Sequence, residues 1–185
     1  MLNERDDHSV WQAAHNAALR GWPITPATHP ELDTGGRWMG HPHAVGLTPL
    51  SPAWWREPVW TVAEVDAWWQ QAPYGVLLVC GYGIDAMEIP ETVFAAQTAR
   101  LLGPVVAASG RRIVLTSPVD REQHATPLPP GCRWITGASW IPLPPTRITS
   151  RVSAAWKQPP SRFPVIPDAG KVMYTVRTCF DSTSK

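Results

Sequence analysis

The stretch Gly75–Pro90, GVLLVCGYGIDAMEIP, decides the fold. Its first six residues are an unbroken apolar run of strand length, the pattern of a strand buried on both faces. Tyr82-Gly83 follows as a turn. Ile84–Ile89 returns as a second strand. Pro90 opens a helix over about 90–102, since its missing N–H costs nothing at a first helical position. Strands joined by a glycine turn and followed by a helix belong to an α+β layer.

Toward the N-terminus, Thr61-Val62-Ala63-Glu64 is a capping box, in which the Thr61 hydroxyl accepts from the Glu64 amide and the Glu64 carboxylate reaches back. The helix it starts runs to about Gln71, with Val62, Val65, Trp68 and Trp69 on its apolar side. Residues 27–60 are rich in Gly, Pro, His and Trp and lack periodicity. They read as a long loop whose Trp38, Trp54, Trp55 and Trp60 pack back on the body. Trp22-Pro23-Ile24-Thr25-Pro26 is extended, because a residue before proline is pushed out of the helical region, and its two prolines confine it to a sheet edge. Residues 7–20 carry an apolar stripe of Val10, Trp11, Ala14, Ala17 and Ala18 at helical spacing, closed by Gly21.

Toward the C-terminus, Val105–Ala108 and Arg112–Thr116 flank Ser109-Gly110 as a hairpin. Residues 117–131 form a polar, proline-rich connection. Arg133–Thr136 and Ser139–Leu143 read as a further hairpin around Gly137, ended by Pro144-Pro145. Residues 171–178, KVMYTVRT, read as one more short strand, and the last residues as a loose tail. The expected architecture is α+β: a mixed sheet built from hairpins with flanking helices and a long Pro/Trp-rich loop. One domain spans 1–150, and 151–185 is a proline-rich, basic, partly ordered extension.

Composition narrows the class. The 185 residues include 21 prolines, roughly twice an average chain's share, so a long-helix bundle or coiled coil is excluded. Eleven residues are Trp, against three Tyr and three Phe. No apolar stretch reaches membrane-span length, and the acidic start MLNERDDHSVWQ has no apolar leader core. Cys80, Cys132 and Cys179 show no metal-ligand spacing, and Cys80 reads as a buried thiol. A cytoplasmic protein with reduced thiols is expected. The net charge is +1, unevenly spread: residues 1–70 hold four Lys/Arg and eight Asp/Glu, whereas 126–185 hold eight and two. The basic last third suits either an anionic partner or plain solvation.

Several segments, taken in order, resemble one family. AAHNAALRGWPITPA resembles the opening of bifunctional DNA primase–polymerase N-terminal (prim-pol) domains of the archaeo-eukaryotic primase superfamily. TVAEVDAWWQQAP resembles the segment before that family's first core strand, and GVLLVCG with GIDAMEIP the strand pair bearing its metal carboxylates. ASGRRIVL resembles the Ser-Gly turn before its active-site histidine, and WITGASWIPLPPT its late hairpin. The resemblance covers about residues 10–148. It implies a primase–polymerase-like fold, an Asp-x-Asp pair holding Mg²⁺ or Mn²⁺, and a histidine that meets the incoming triphosphate. Two carboxylates at i and i+2 share one face of a strand, so they can clamp divalent ions that bridge phosphate oxygens.

The chain departs from that pattern at each catalytic position. The carboxylate pair reads Glu88-Ile89-Pro90, and proline ligates nothing. Asp85 is the nearest other acid, but three residues from Glu88 on a strand it faces the opposite side. The histidine position falls on Arg112, or on Ile113 in a shifted alignment. His124 lies in the connecting loop with no motif around it. No catalytic residue is therefore expected intact, and the degenerate positions are Glu88, Pro90 and Arg112. Asp85 and Glu88 are the remaining metal candidates, and Ser109, Arg111 and Arg112 the phosphate candidates, the arginines reading equally well as an exposed charged turn.

Other constellations carry less. His41-Pro42-His43 lacks a third ligand and reads as a solvent-facing loop. Of each pair Trp54-Trp55 and Trp68-Trp69, one indole suits the core and the other stays open to base stacking. Ser109 and Ser139 have no triad partners, and Gly81-Tyr82-Gly83 lacks the third glycine of a dinucleotide loop. The expectation is a prim-pol-like module that has lost metal-dependent nucleotidyl transfer and binds DNA, nucleotide or a protein partner, with no cofactor and no membrane. Two alternatives stand beside it: an active primase/polymerase with an altered Mg²⁺ or Mn²⁺ site, and a Trp-rich protein-interaction domain without ligand.

Overall fold

The computed structural model describes residues 4–31, 37–41, 43–91 and 103–183. In chain order the elements are α1 (Glu4–Leu19), β1 (Ile24–Ala27), β2 (His29–Pro30), β3 (Trp38–Met39), α2 (Val62–Trp69), β4 (Gly75–Val79) and β5 (Asp85–Pro90). There follow β6 (Val105–Ala108), β7 (Arg111–Thr116), α3 (Arg121–Ala125), β8 (Arg133–Ile135), β9 (Trp140–Pro142), β10 (Ala155–Gln158) and α4 (Ala169–Thr183). The architecture is α+β. The chain divides into two compact units, Met1–Val79 with Trp140–Ala155, and Cys80–Ser139 with Trp156–Lys185.

The first unit is built on a three-stranded antiparallel sheet in the order β1-β4-β9. β4 is buried along its whole length, as its unbroken apolar sequence demands. β1 takes the edge, where Pro23 and Pro26 do least harm. α1 packs against α2, β1 and β4, with Ala14 and Ala17 buried. Trp11 Nε1 donates to Asp66 Oδ1 at 2.9 Å, tying α1 to α2. α2 starts at the capping box read from the sequence: Glu64 N donates to Thr61 Oγ1, and Thr61 N to Glu64 Oε2. Across the sheet, the Thr146 hydroxyl accepts from Val76 N at 2.8 Å and donates to Val76 O at 3.0 Å.

The second unit carries a five-stranded sheet in the order β10-β6-β7-β5-β8. Met87, Ile89, Val105 and Val114 on one face form a core with Val172 and Val176 of α4. Burying each of those valines is worth roughly 1.5–3 kcal/mol. β6 and β7 form the expected hairpin, and Ser109 and Gly110 both have positive φ (47° and 75°), as a two-residue turn of matching twist requires.

Four expectations are corrected. β4 and β5 are not paired with each other: β4 pairs with β1 and β9, β5 with β7 and β8. β8 and β9 likewise join different sheets rather than one hairpin, since Ser139 N bonds back to Gly137 O and the chain leaves the ladder there. Residues 171–178 are helical. Asp168 Oδ1 accepts from Lys171 N, and Ala169, Val172, Val176 and Cys179 are buried at spacings of three and four. The connection 117–131 contains α3, capped by Asp120, and His124 stands in its last turn rather than in a loop. The helix expected over 90–102 lies mostly outside the described residues; Pro90 itself ends β5. Residues 151–185, read as an extension, supply β10 and α4.

Candidate functional site

β5 lies between β7 and β8, and its register decides which side chains meet. Glu88 stands opposite Ile113 on β7 and opposite Arg133 on β8, while Pro90 stands opposite Arg111. Side chains alternate along a strand, so Glu88, Pro90, Arg111 and Arg133 share one face. Glu88 Oε1 accepts from Arg111 Nε, and Oε2 from Arg133 Nη2, each at 2.7 Å. Arg111 Nη2 also donates to Gly131 O at 2.5 Å. The side-chain exposures run from 12% for Glu88 through 34% for Arg111 to 69% for Arg133, so the carboxylate is covered by its cations.

Burial alone pushes the Glu88 carboxyl up, but the hydrogen bond and charge of Arg133, with those of Arg111, overcome it and hold the group below its ordinary value. The same hydrogen bond raises Arg133. Pro90 is packed against Gly131, where an added Cβ would come within 2.9 Å of Pro90 Cγ. The position two residues beyond Glu88 is thus a ring against backbone, with no side-chain oxygen to offer.

Asp85 is 4% exposed and fully engaged elsewhere: Oδ1 accepts from Gly81 N at 3.0 Å and Oδ2 from Val119 N at 2.9 Å. Its partners are not those of Glu88, and it fastens the turn before β5 to the segment after β7. Arg112, buried and opposite Ile89, belongs to the other face from Arg111. Its Nη2 pairs with Glu91 and its Nη1 donates to Arg111 O at 3.3 Å. Ser109 sits exposed in the β6–β7 turn. The structure therefore joins Glu88 to Arg111 but leaves Asp85 and Arg112 apart from them.

Sequence reading missed Arg133, Glu91 and the Gly131 carbonyl. The alternation of Arg133-Trp134-Ile135 puts Arg133 and Ile135 on one face, yet nothing local says that this face meets Glu88.

The donor set does not fit a divalent-ion clamp, because Glu88 is spent on two guanidinium groups, Pro90 has no donor and Asp85 is held by two amides. Among the described residues no group of three or more His, Cys, Asp or Glu converges at ligand distance, and no helix is long and apolar enough to cross a membrane. Cys80 is buried, and its thiol is pushed up to about 12 by that burial and by Asp85. Trp69 is a core residue whose Nε1 donates to Tyr74 O at 2.7 Å, and Trp68 meets Tyr74 edge-on. No family model, curated protein or solved structure matches the chain.

Proposed function

We propose that the chain is a primase–polymerase-like domain that has exchanged its metal clamp for an ion-pair lock and serves as a nucleic-acid- or nucleotide-binding module. The resemblance of ordered motifs over residues 10–148 supports the family. The observation that carries the loss of chemistry is Glu88 bridged by Arg111 and Arg133. Two guanidinium groups supply the positive charge that metal ions would supply to a clamp, and they are covalently part of the chain. The basic last third supplies attraction for a polyanion.

The test is template-directed primer synthesis and extension with Mg²⁺ or Mn²⁺, paired with binding of single-stranded DNA and nucleoside triphosphate at low salt. The expected result is no incorporation, with binding that weakens steeply as salt rises. Incorporation abolished by Glu88→Ala would overturn the loss of chemistry.

A second reading, a protein-interaction domain, is favoured by exposed apolar side chains between residues 39 and 60, with Val45 98% and Met39 42% exposed. It predicts no retardation of DNA at low salt.

A further inference from the structure

The segment after β2 holds two adjoining cavities within the first unit, of about 580 and 440 Å³. Both fall in the size range of roughly 300–1,000 Å³ typical of ligand sites. His41 and Ala44 line both, so the two adjoin at these residues. The larger has Trp54 in its wall and His43 beside it; the smaller has Trp38 and Arg37. Both indoles are half-buried, while Arg37, His41 and His43 are exposed. Among the described residues no ring or guanidinium is stacked on Trp38 or Trp54, whereas the face of neighbouring Trp55 is covered by Arg56 at 4.4 Å. No described lining residue is a carboxylate.

The wall is fixed in place rather than loose. Buried Thr28 accepts from Thr48 N through its hydroxyl, donates to Gly46 O, and bonds Thr48 O through its own amide. Leu50 N donates to Pro26 O, and Ala27 bridges Pro49, so residues 46–50 are held against the edge strand β1. A held wall lowers the ordering cost of binding.

Each cavity thus pairs one available indole with cationic or protonatable side chains, and the pairing repeats on either side of His41 and Ala44. We propose that this groove, lined by Arg37, Trp38, His41, His43 and Trp54, binds single-stranded nucleic acid. Two unpaired bases stack on Trp38 and Trp54, and Arg37 with the histidines meets the phosphates. Indoles select for exposed base faces, and among the described lining residues no carboxylate repels the backbone. The inference rests on the nucleic-acid-binding reading above and names its surface.

The test uses the full chain and a fluorescent oligothymidylate, read by anisotropy at low salt. Trp54→Ala and Trp38→Ala should each weaken binding about tenfold, while Trp54→Phe, which keeps a stacking ring and most of the packing, stays within about threefold. Arg37→Ala should make the slope of log K against log salt shallower by about 0.7, one phosphate's worth on a single strand. An oligonucleotide carrying 5-bromodeoxyuridine should photo-crosslink to the peptides bearing Trp38 or Trp54. Unchanged affinity in these variants, with crosslinks confined to other peptides, overturns the groove and leaves the nucleic-acid reading standing. Equal affinity for duplex also overturns the groove. A wild-type chain that binds neither oligonucleotide nor nucleoside triphosphate overturns both.

Discussion

On the sheet face of the second unit, Arg111 and Arg133 turn inward onto one carboxylate and a backbone carbonyl. In the segment 37–56 of the first unit, Arg37 and two histidines stay exposed beside two half-buried indoles. The residue types overlap, but the outcomes differ because a strand register imposes partners and an irregular loop does not. In the first place cation and anion were brought opposite each other by the ladder, and their charge is spent on holding the fold. In the second, Thr28 anchors the backbone and the side chains of Arg37, His41 and His43 stay exposed, His41 Nδ1 accepting only from the nearby His43 N among the described residues. Locked charge gives stability, and exposed charge beside aromatic rings is what the proposed nucleic-acid surface requires.

Substitutions test this division in order of expected size. Asp85→Ala removes a buried carboxylate and leaves Val119 N without its acceptor, while Gly81 N keeps Ile84 O, so unfolding by urea should show a loss of about 2–3 kcal/mol. That loss should be the same with or without Mn²⁺, as suits a structural carboxylate.

Glu88→Gln comes next, at about 1–2 kcal/mol, a figure reduced by the exposure of Arg133. It also carries a pH signature. The folded-state value lies below the ordinary 4.5, so the pair's contribution is complete above that pH and fades as pH falls through the folded value. Wild-type stability should drop on acidification below about pH 4.5, and the Gln variant should lose less over that window. Identical acid profiles would break the comparison at its locked end.

Gly40→Ala should cost about 1 kcal/mol, because Gly40 has φ +96° and an added Cβ would come within 2.7 Å of the Leu50 side chain. Calorimetry checks the loss, and oligonucleotide affinity should fall with it. Arg37→Ala should leave stability within about 0.5 kcal/mol of wild type, the ordinary effect of a surface change. A large loss there would show that the loop's charge is structural after all.

What could be read in advance was local. The Thr61–Glu64 capping box, the Ser109-Gly110 turn and the edge placement of β1 depend on residues a few positions apart, and their chemistry is written in those residues. The opposed facing of Asp85 and Glu88 followed from strand alternation alone. The partners of Glu88 did not follow, because Arg133 arrives from 45 positions away through a pairing that no nearby residue encodes. The strand misreading of 171–178 had a different cause. KVMYTVRT is rich in β-branched residues, and its helical spacing emerges only when Ala169 and Cys179 are counted with it. The prim-pol resemblance drew attention to Glu88 and Pro90, but the ion-pair lock came from the register.

The pairing of Val79 with Trp140 has a consequence for synthesis. A nascent chain that has emerged as far as β4 holds only β1 as a neighbour for it, with the other edge of a wholly apolar strand bare. The strand that covers this edge is not made until residues 80–139 have been translated. Over that interval the ribosome carries an unfinished first sheet, exposed to aggregation or to a chaperone, while the intervening residues are still being added. Ending translation anywhere in 80–139 would make that transient condition permanent.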